Sequence, residues 1–222
     1  MFSLERYLRS SHKVDPFVTV RRPPSEDGLT ILMYMSSLAI LIPLKDFTEA
    51  KGRLRQAGYD GGEIARQLAA AVIAAAAPLP TFVVSENLEV LTFAKLCGAQ
   101  TLHAPEHGLN ASVHFAYKTL SHTFDMIAIV HGDLADPTGL GSFSPGEELT
   151  IVSDRDRRGT NVLVVPAGLP FAFHYGVDSR RLHLAEAARL DLSVTEIEGS
   201  TWSFDIDDDE DAATLFVREL HS

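Results

Sequence analysis

The chain has 222 residues, 45% of them hydrophobic and 22% charged, which suits one large globular domain or two small ones. Its formal net charge of -11 argues against general nucleic-acid binding, which relies on a basic surface. It leaves room for a nucleotide held by a local cationic cluster or a metal.

Residues 1–15 mix charges of both signs and lack the apolar core of a signal peptide. The apolar run 29–44 carries Ser36, Ser37 and Pro43 and falls short of the ~18 residues a membrane span needs. A soluble, cytoplasmic protein with no membrane or nucleic-acid partner is therefore expected. Residues 1–37 read as an extension, with strands at 17–20 and 29–35 separated by Arg21-Arg22-Pro23-Pro24. A homodimer contact and a cover for a sheet edge are the roles open to it. Residues 38–222 read as one domain.

The regular part begins with the buried-strand pattern Leu38-Ala39-Ile40-Leu41-Ile42. Four cations, Lys45, Lys51, Arg53 and Arg55, crowd the loop after it. In an acidic chain this local reversal fits either a phosphate site or a solvated basic loop. The spacing of Ile64, Leu68, Val72 and Ala75 predicts a helix over 63–77, ended by Pro78 and Pro80. A strand over 81–84 follows. In Ser85-Glu86-Asn87, Ser85 or Asn87 caps a helix over 88–97 that Gly98 closes. The single cysteine, Cys97, excludes an intrachain disulfide framework and reads as a small buried hydrophobe. A short strand over 100–102 completes β-α-β-α-β with short turns, the signature of a largely parallel sheet covered by helices.

Gly108-Leu109-Asn110-Ala111-Ser112 opens a helix with Val113, Ala116, Tyr117 and Leu120 on one face, and Asn110 fits its N-cap. A glycine at a helix start also offers free N–H groups to an anion or a sugar edge. Then comes Met126-Ile127-Ala128-Ile129-Val130, a strand buried on both faces, which ends in His131-Gly132-Asp133. Ligands of α/β sheets bind where such strands emerge. A carboxylate there costs several kcal/mol to desolvate unless compensated, so Asp133 is either a cation or ligand contact or an ordinary loop acid.

A strand over 149–153 leads into Asp154-Arg155-Asp156-Arg157-Arg158-Gly159-Thr160-Asn161 and a strand over 162–165. That connection reads as an anion-binding loop or as a charged hairpin tip. Residues 171–176 are expected to form a further strand. Gly176-Val177-Asp178-Ser179 then turns into a helix reaching 190, with Ser179 in the first turn, where an anionic group is well held. A strand over 192–197 follows. Asp205 and Asp207 flank Ile206, so on an extended backbone they point the same way. Two like charges ~4 Å apart repel by about 4 kcal/mol at an effective dielectric of 20. A divalent cation between them, or open water, relieves that repulsion, and Mg²⁺ favours one or two carboxylates plus phosphate oxygens. Asp208 to Asp211 read separately, as the start of a final helix that buries Ala212, Leu215, Phe216 and Leu220.

The order of these pieces resembles the 2-phospho-L-lactate guanylyltransferases, and their phosphoenolpyruvate-using bacterial relatives, of coenzyme F-420 biosynthesis. The matching residues are Ile42-Pro43-Leu44-Lys45 with Ala50-Lys51-Gly52-Arg53-Leu54; Gly108 to Ser112; Gly132-Asp133-Leu134; Gly159-Thr160-Asn161; Gly176 with Ser179 and His183-Leu184-Ala185-Glu186-Ala187; and Phe204-Asp205-Ile206-Asp207 with Glu210-Asp211. The resemblance implies an α/β, GT-A-like nucleotide-diphospho-sugar transferase fold, with a mixed, mostly parallel sheet flanked by helices. It implies transfer of GMP from GTP to a phosphorylated three-carbon acid. Asp133, Asp205 and Asp207 would hold Mg²⁺. Lys45, Lys51 and Arg53, with Ser85 and the Gly108-Leu109-Asn110 turn, would hold GTP, Asp133, Lys51 and Lys45 being the catalytic set. Thr160, Asn161, Gly176 and Ser179 would bind the acid. The nine histidines show no metal-ligand spacing and read as structural. Asp178 is a carboxylate the family pattern lacks beside the acid site, and it leaves phosphoenolpyruvate, 2-phospho-L-lactate and 3-phosphoglycerate all open. A sugar-nucleotide glycosyltransferase and a non-catalytic nucleotide-binding module are the rival functions.

Overall fold

The computed structural model describes residues 37–146, 148–208, 210 and 211. Its strands are β1 (Leu38–Pro43), β2 (Thr81–Ser85), β3 (Gln100–His103), β4 (Met126–Val130), β5 (Leu149–Ser153), β6 (Thr160–Pro166) and β7 (Val194–Glu196). Its helices are α1 (Gly52–Gln56), α2 (Gly61–Ala76), α3 (Leu88–Leu96), α4 (Leu109–Leu120) and α5 (Ser179–Arg189). The strands form one sheet in the order β3-β2-β1-β4-β6-β5-β7. All neighbours are parallel except where β6 pairs with β4 and β5. The sheet is thus mixed and mostly parallel, with β6 the one reversed strand among the described residues.

The two apolar runs lie side by side at its centre, Leu38 opposite Met126 and Leu41 opposite Ile129. Both are apolar at successive positions because both faces of the sheet are covered. Ile40, Ile42, Ala128 and Val130 face α2 and α3, packing with Val72, Ile73, Leu91 and Ala94. Ala39, Leu41, Ile127 and Ile129 face the other way, toward Val113, Ala116, Tyr117 and Leu120 of α4 and Ala187 of α5. Asn87 caps α3, its side chain accepting from the N–H groups of Glu89 and Val90. Asp60 caps α2 in the same manner through Glu63.

Two expectations fail. Residues 171–176 are not a strand. Phe171, Phe173 and Tyr175 point inward at alternate positions, as strand residues would, but the backbone between them bonds to side chains. The Ala172 N–H donates to Glu186, the His174 N–H to His183 and the Tyr175 N–H to Asn110. Asn110 in turn is not a cap. Gly108, at φ 108°, occupies the N-cap position, a conformation glycine adopts without Cβ strain. The Asn110 amide instead grips both backbone polar groups of Tyr175, at 2.7 Å and 3.0 Å. The expected strands at 17–20 and 29–35, and the buried face of the final helix, lie outside the described residues.

Candidate functional site

The strand order turns around at β1 and β4. β2 and β3 lie on one side, and the chain returns through α4 to place β4 on the other. Such a switch point opens a crevice at the carboxyl ends of the two strands. A cavity of about 440 Å³ sits there, lined by Lys45, Phe47, Lys51, Arg53, Leu109, His131, Asp133 and Asp207, among others. The Leu44 side chain packs against Gly132 in the space that a Cβ there would occupy.

Three carboxylates converge at the mouth. Asp133, Asp205 and Asp207 each offer an oxygen, and these oxygens lie within 4.8 Å of one another. Asp133 arrives from the end of β4. Asp205 is placed by a bridge between its backbone and Leu134, and the Ile206 N–H donates to the Asp133 carbonyl. Lys51 enters from the β1 loop. Its backbone is left-handed, φ 54°, and its side chain is only 7% exposed, with the ammonium 2.5 Å from Asp133 and 2.9 Å from Asp207.

Burial alone would lower the Lys51 pKa, but the charges of Asp133 and Asp207 overcome it and hold it above its ordinary value. Burial likewise works to raise Asp133; the Lys51 ammonium outweighs it and brings that carboxyl below the usual range. Asp205 forms no ion pair among the described residues, and the Lys51 charge acts on it only weakly. Burial, then repulsion from Asp133 and Asp207, pushes it up to about 6. One ammonium among three carboxylates leaves the cluster short of positive charge. An oxygen-rich, under-neutralised set of this kind fits a hard divalent cation.

Of the predicted acid-binding residues, Thr160 and Ser179 come together where β6 begins and α5 begins. A β-bulge between Val152 and Ser153 makes Asn161 the extra residue of β6, and bulges beside sites re-aim side chains. Thr160 and Ser179, 1% and 2% exposed, are joined hydroxyl to hydroxyl at 3.3 Å. Thr160 also meets Nδ1 of His183 at 3.1 Å. Asp178, the unexpected carboxylate, faces the Arg158 guanidinium at 3.4 Å. That pairing offsets its repulsion toward an anionic ligand.

The remaining predicted residues divide. Lys45, Arg53 and Leu109 line the cavity with Lys51 and Asp133. Ser85 is buried and its hydroxyl accepts from the Asn87 N–H, shaping the turn after β2. The Asn161 amide donates to the Trp202 carbonyl, so its side chain is already engaged with the fold. Gly176 supplies an exposed positive-φ turn, φ 129°, just before α5. Arg55, counted in the cationic loop, donates to the Thr48 and Ala50 carbonyls and shapes that loop.

Sequence reasoning missed His131. It lines the cavity, and burial depresses its pKa even beside Asp133. Its Nε2 and the hydroxyl of Tyr175, whose ring lies 5.4 Å away, are buried without a hydrogen-bond partner among the described residues. The available signal was its position two residues before the acid that ends a central strand.

The family described as "Guanylyl transferase CofC like" matches residues 38–221. The chain is 30% identical over 189 residues to a phosphoenolpyruvate guanylyltransferase of Chloroflexus aggregans, covering 78% of this chain and 94% of that one. It is 30% identical over 195 residues to a phosphoenolpyruvate guanylyltransferase of Rubrobacter xylanophilus, covering 81% and 93%. Among solved structures, a nucleotidyl transferase from Methanothermobacter thermautotroptrophicus superposes with a TM-score of 0.60 at 13% identity, over 83% of this chain and 98% of that one. That likeness shows the α/β fold.

Proposed function

The chain belongs to the CofC-like guanylyl transferase family, and from that membership we propose that it moves GMP from GTP onto the phosphate of a small phosphorylated acid, in coenzyme F-420 biosynthesis. Phosphoenolpyruvate is the leading acceptor, because the two relatives above carry it in their names. 2-Phospho-L-lactate and 3-phosphoglycerate are the alternatives. The class is plain: the protein is a nucleotidyltransferase.

One observation carries the finer reading. Asp133, Asp205 and Asp207 crowd within 4.8 Å beside a cavity whose other wall holds Lys45, Lys51 and Arg53. The three acids fit Mg²⁺, which would neutralise charge on the reacting phosphates. Lys45, Lys51 and Arg53 bind the triphosphate, and the Gly108-Leu109 helix start closes the nucleoside side of the cavity. Thr160, Gly176 and Ser179 take the acid.

In the reaction an oxygen of the acid's phosphate attacks the α-phosphorus of GTP. A P–O bond forms there, the bond to the bridging oxygen breaks, and diphosphate leaves with that electron pair. The nucleophile is already ionised at neutral pH, so no general base is required. The protein's work is to hold the two anions in line and to balance their charge. This agrees with Lys51 being kept protonated by its acidic neighbours.

Diphosphate release from GTP, measured with Mg²⁺ against a panel of the three acids, tests the reading. Asp133→Asn and Asp205→Asn should each lower kcat/KM by about a hundredfold or more. Undiminished turnover in either variant would remove the metal assignment. Turnover of a nucleotide sugar instead would favour the glycosyltransferase alternative, and absence of any turnover with all three acids would favour the binding module.

A further inference from the structure

His183 stands apart from the other eight histidines. It is 0% exposed, lies in α5, and both of its ring nitrogens are engaged. The His174 backbone N–H points at Nε2 from 2.9 Å. A backbone amide only donates, so Nε2 must carry a lone pair. The ring is neutral, as burial also dictates, and its single proton therefore sits on Nδ1. Nδ1 faces the Thr160 hydroxyl at 3.1 Å, and so it donates to Thr160.

That direction has a consequence for the acid site. Thr160 and Ser179 hold two hydroxyl protons between them, and one of these lies in the bond that joins the pair. The other cannot point at His183, because that side already presents a donor. It is left for a ligand. With the opposite tautomer, Thr160 would direct its proton into the imidazole and the pair would have none to spare.

We infer that His183 is a positioning residue that sets the hydroxyls of Thr160 and Ser179 as a net donor toward an anionic oxygen, carboxylate or phosphate, of the acceptor acid. The imidazole never touches the acid. Through the His174 N–H it also holds the segment leading to Tyr175 and Gly176, and the Tyr175 ring packs edge-on against it at 4.9 Å. The inference rests on the proposed reading of Thr160 and Ser179 as acid ligands.

Two variants separate the two halves of the ring. In His183→Asn the amide group overlies Nδ1 and restores a donor to Thr160. In His183→Gln it overlies Nε2 and restores only the acceptor for His174. KM for the acid and for GTP are measured for both, beside Thr160→Val. A hydrogen bond to a charged group is worth roughly a tenfold change or more in binding. His183→Gln should therefore raise the acid KM about tenfold while the GTP KM and kcat stay within about twofold. His183→Asn should return the acid KM to within about threefold of wild type. Equal acid KM in His183→Gln and wild type, or acid and GTP KM rising together, overturns the inference. If Thr160→Val leaves the acid KM unchanged, the acid-site reading falls as well; if it raises the acid KM and His183→Gln does not, only the role of His183 falls. Should the variants not fold, nitrogen NMR of the wild-type imidazole decides: a protonated Nδ1 with bare Nε2 supports the inference, and a protonated Nε2 overturns it.

Discussion

A single buried imidazole also ties stability to pH. Burial depresses the His183 pKa to about 3, with smaller contributions from His174 and His131, against an ordinary 6.5. Between those values the unfolded chain binds a proton that the folded protein refuses. Stability from this group is therefore complete above pH 6.5 and is lost as pH falls toward 3. The slope is at most about 1.4 kcal/mol per pH unit for one proton. Urea unfolding of wild type and His183→Gln at several pH values isolates it, because other titrating groups largely cancel in the difference. The stability advantage of wild type should shrink by up to ~1.4 kcal/mol per pH unit between pH 6.5 and 5. An advantage constant across that range would show that the folded imidazole takes up its proton as readily as the unfolded one, and that neither burial nor the bond from the His174 N–H keeps it neutral.

At the scale of elements, the Asn110 amide couples the start of α4 to the segment before α5. It satisfies the N–H and the carbonyl of Tyr175 together. Deleting it in Asn110→Ala leaves two backbone groups unpaired, at about 1–3 kcal/mol for each that stays buried. A fall in unfolding free energy of ~2–3 kcal/mol is expected in urea titrations. Asn110→Asp is the sharper test. A helix cap tolerates aspartate as well as asparagine, whereas here a carboxylate oxygen would face the Tyr175 carbonyl. Asp should therefore destabilise as much as Ala, and a neutral Asp variant would sink the clamp.

These elements also mark the limit of what the residues disclosed in advance. β1 and β4 were legible because burial on both faces writes itself as an unbroken apolar run. Asp205 and Asp207 were legible as a pair because their spacing is local. Residues 171–176 misled because Phe171, Phe173 and Tyr175 alternate like a strand, while the partners of their backbone sit on α4 and α5. Side-chain period reports which way residues face and says nothing of who bonds the amide between them. The insertion of Lys51 between Asp133 and Asp207 was illegible for a related reason. It depends on a left-handed backbone at a non-glycine residue and on three chain segments meeting.

Over the whole molecule, charge is arranged against its own average. The chain carries -11, which repels an anion such as GTP at a distance, yet the cavity wall presents Lys45, Lys51 and Arg53. Lys51 is buried against its acids; Lys45 and Arg53 are exposed and, on the proposed function, are the two that would meet an incoming triphosphate through water. Charges separated by more than about 10 Å are largely screened at 0.1 M salt, so the distant acids fade first as a nucleotide approaches. Exposed charge contacts are worth up to ~1 kcal/mol at low ionic strength, roughly a fivefold change in affinity. Lys45→Ala and Arg53→Ala should therefore each raise the GTP KM about threefold to fivefold at 50 mM salt, with kcat nearly unchanged. Raising salt to about 0.3 M should weaken GTP binding by wild type more than by either variant, so the ratio of KM values falls toward one. Steady-state rates at the two salt concentrations decide it. A ratio indifferent to salt would mean that these side chains act by shape or hydrogen bonding, and that the local reversal of charge is not what draws the nucleotide in.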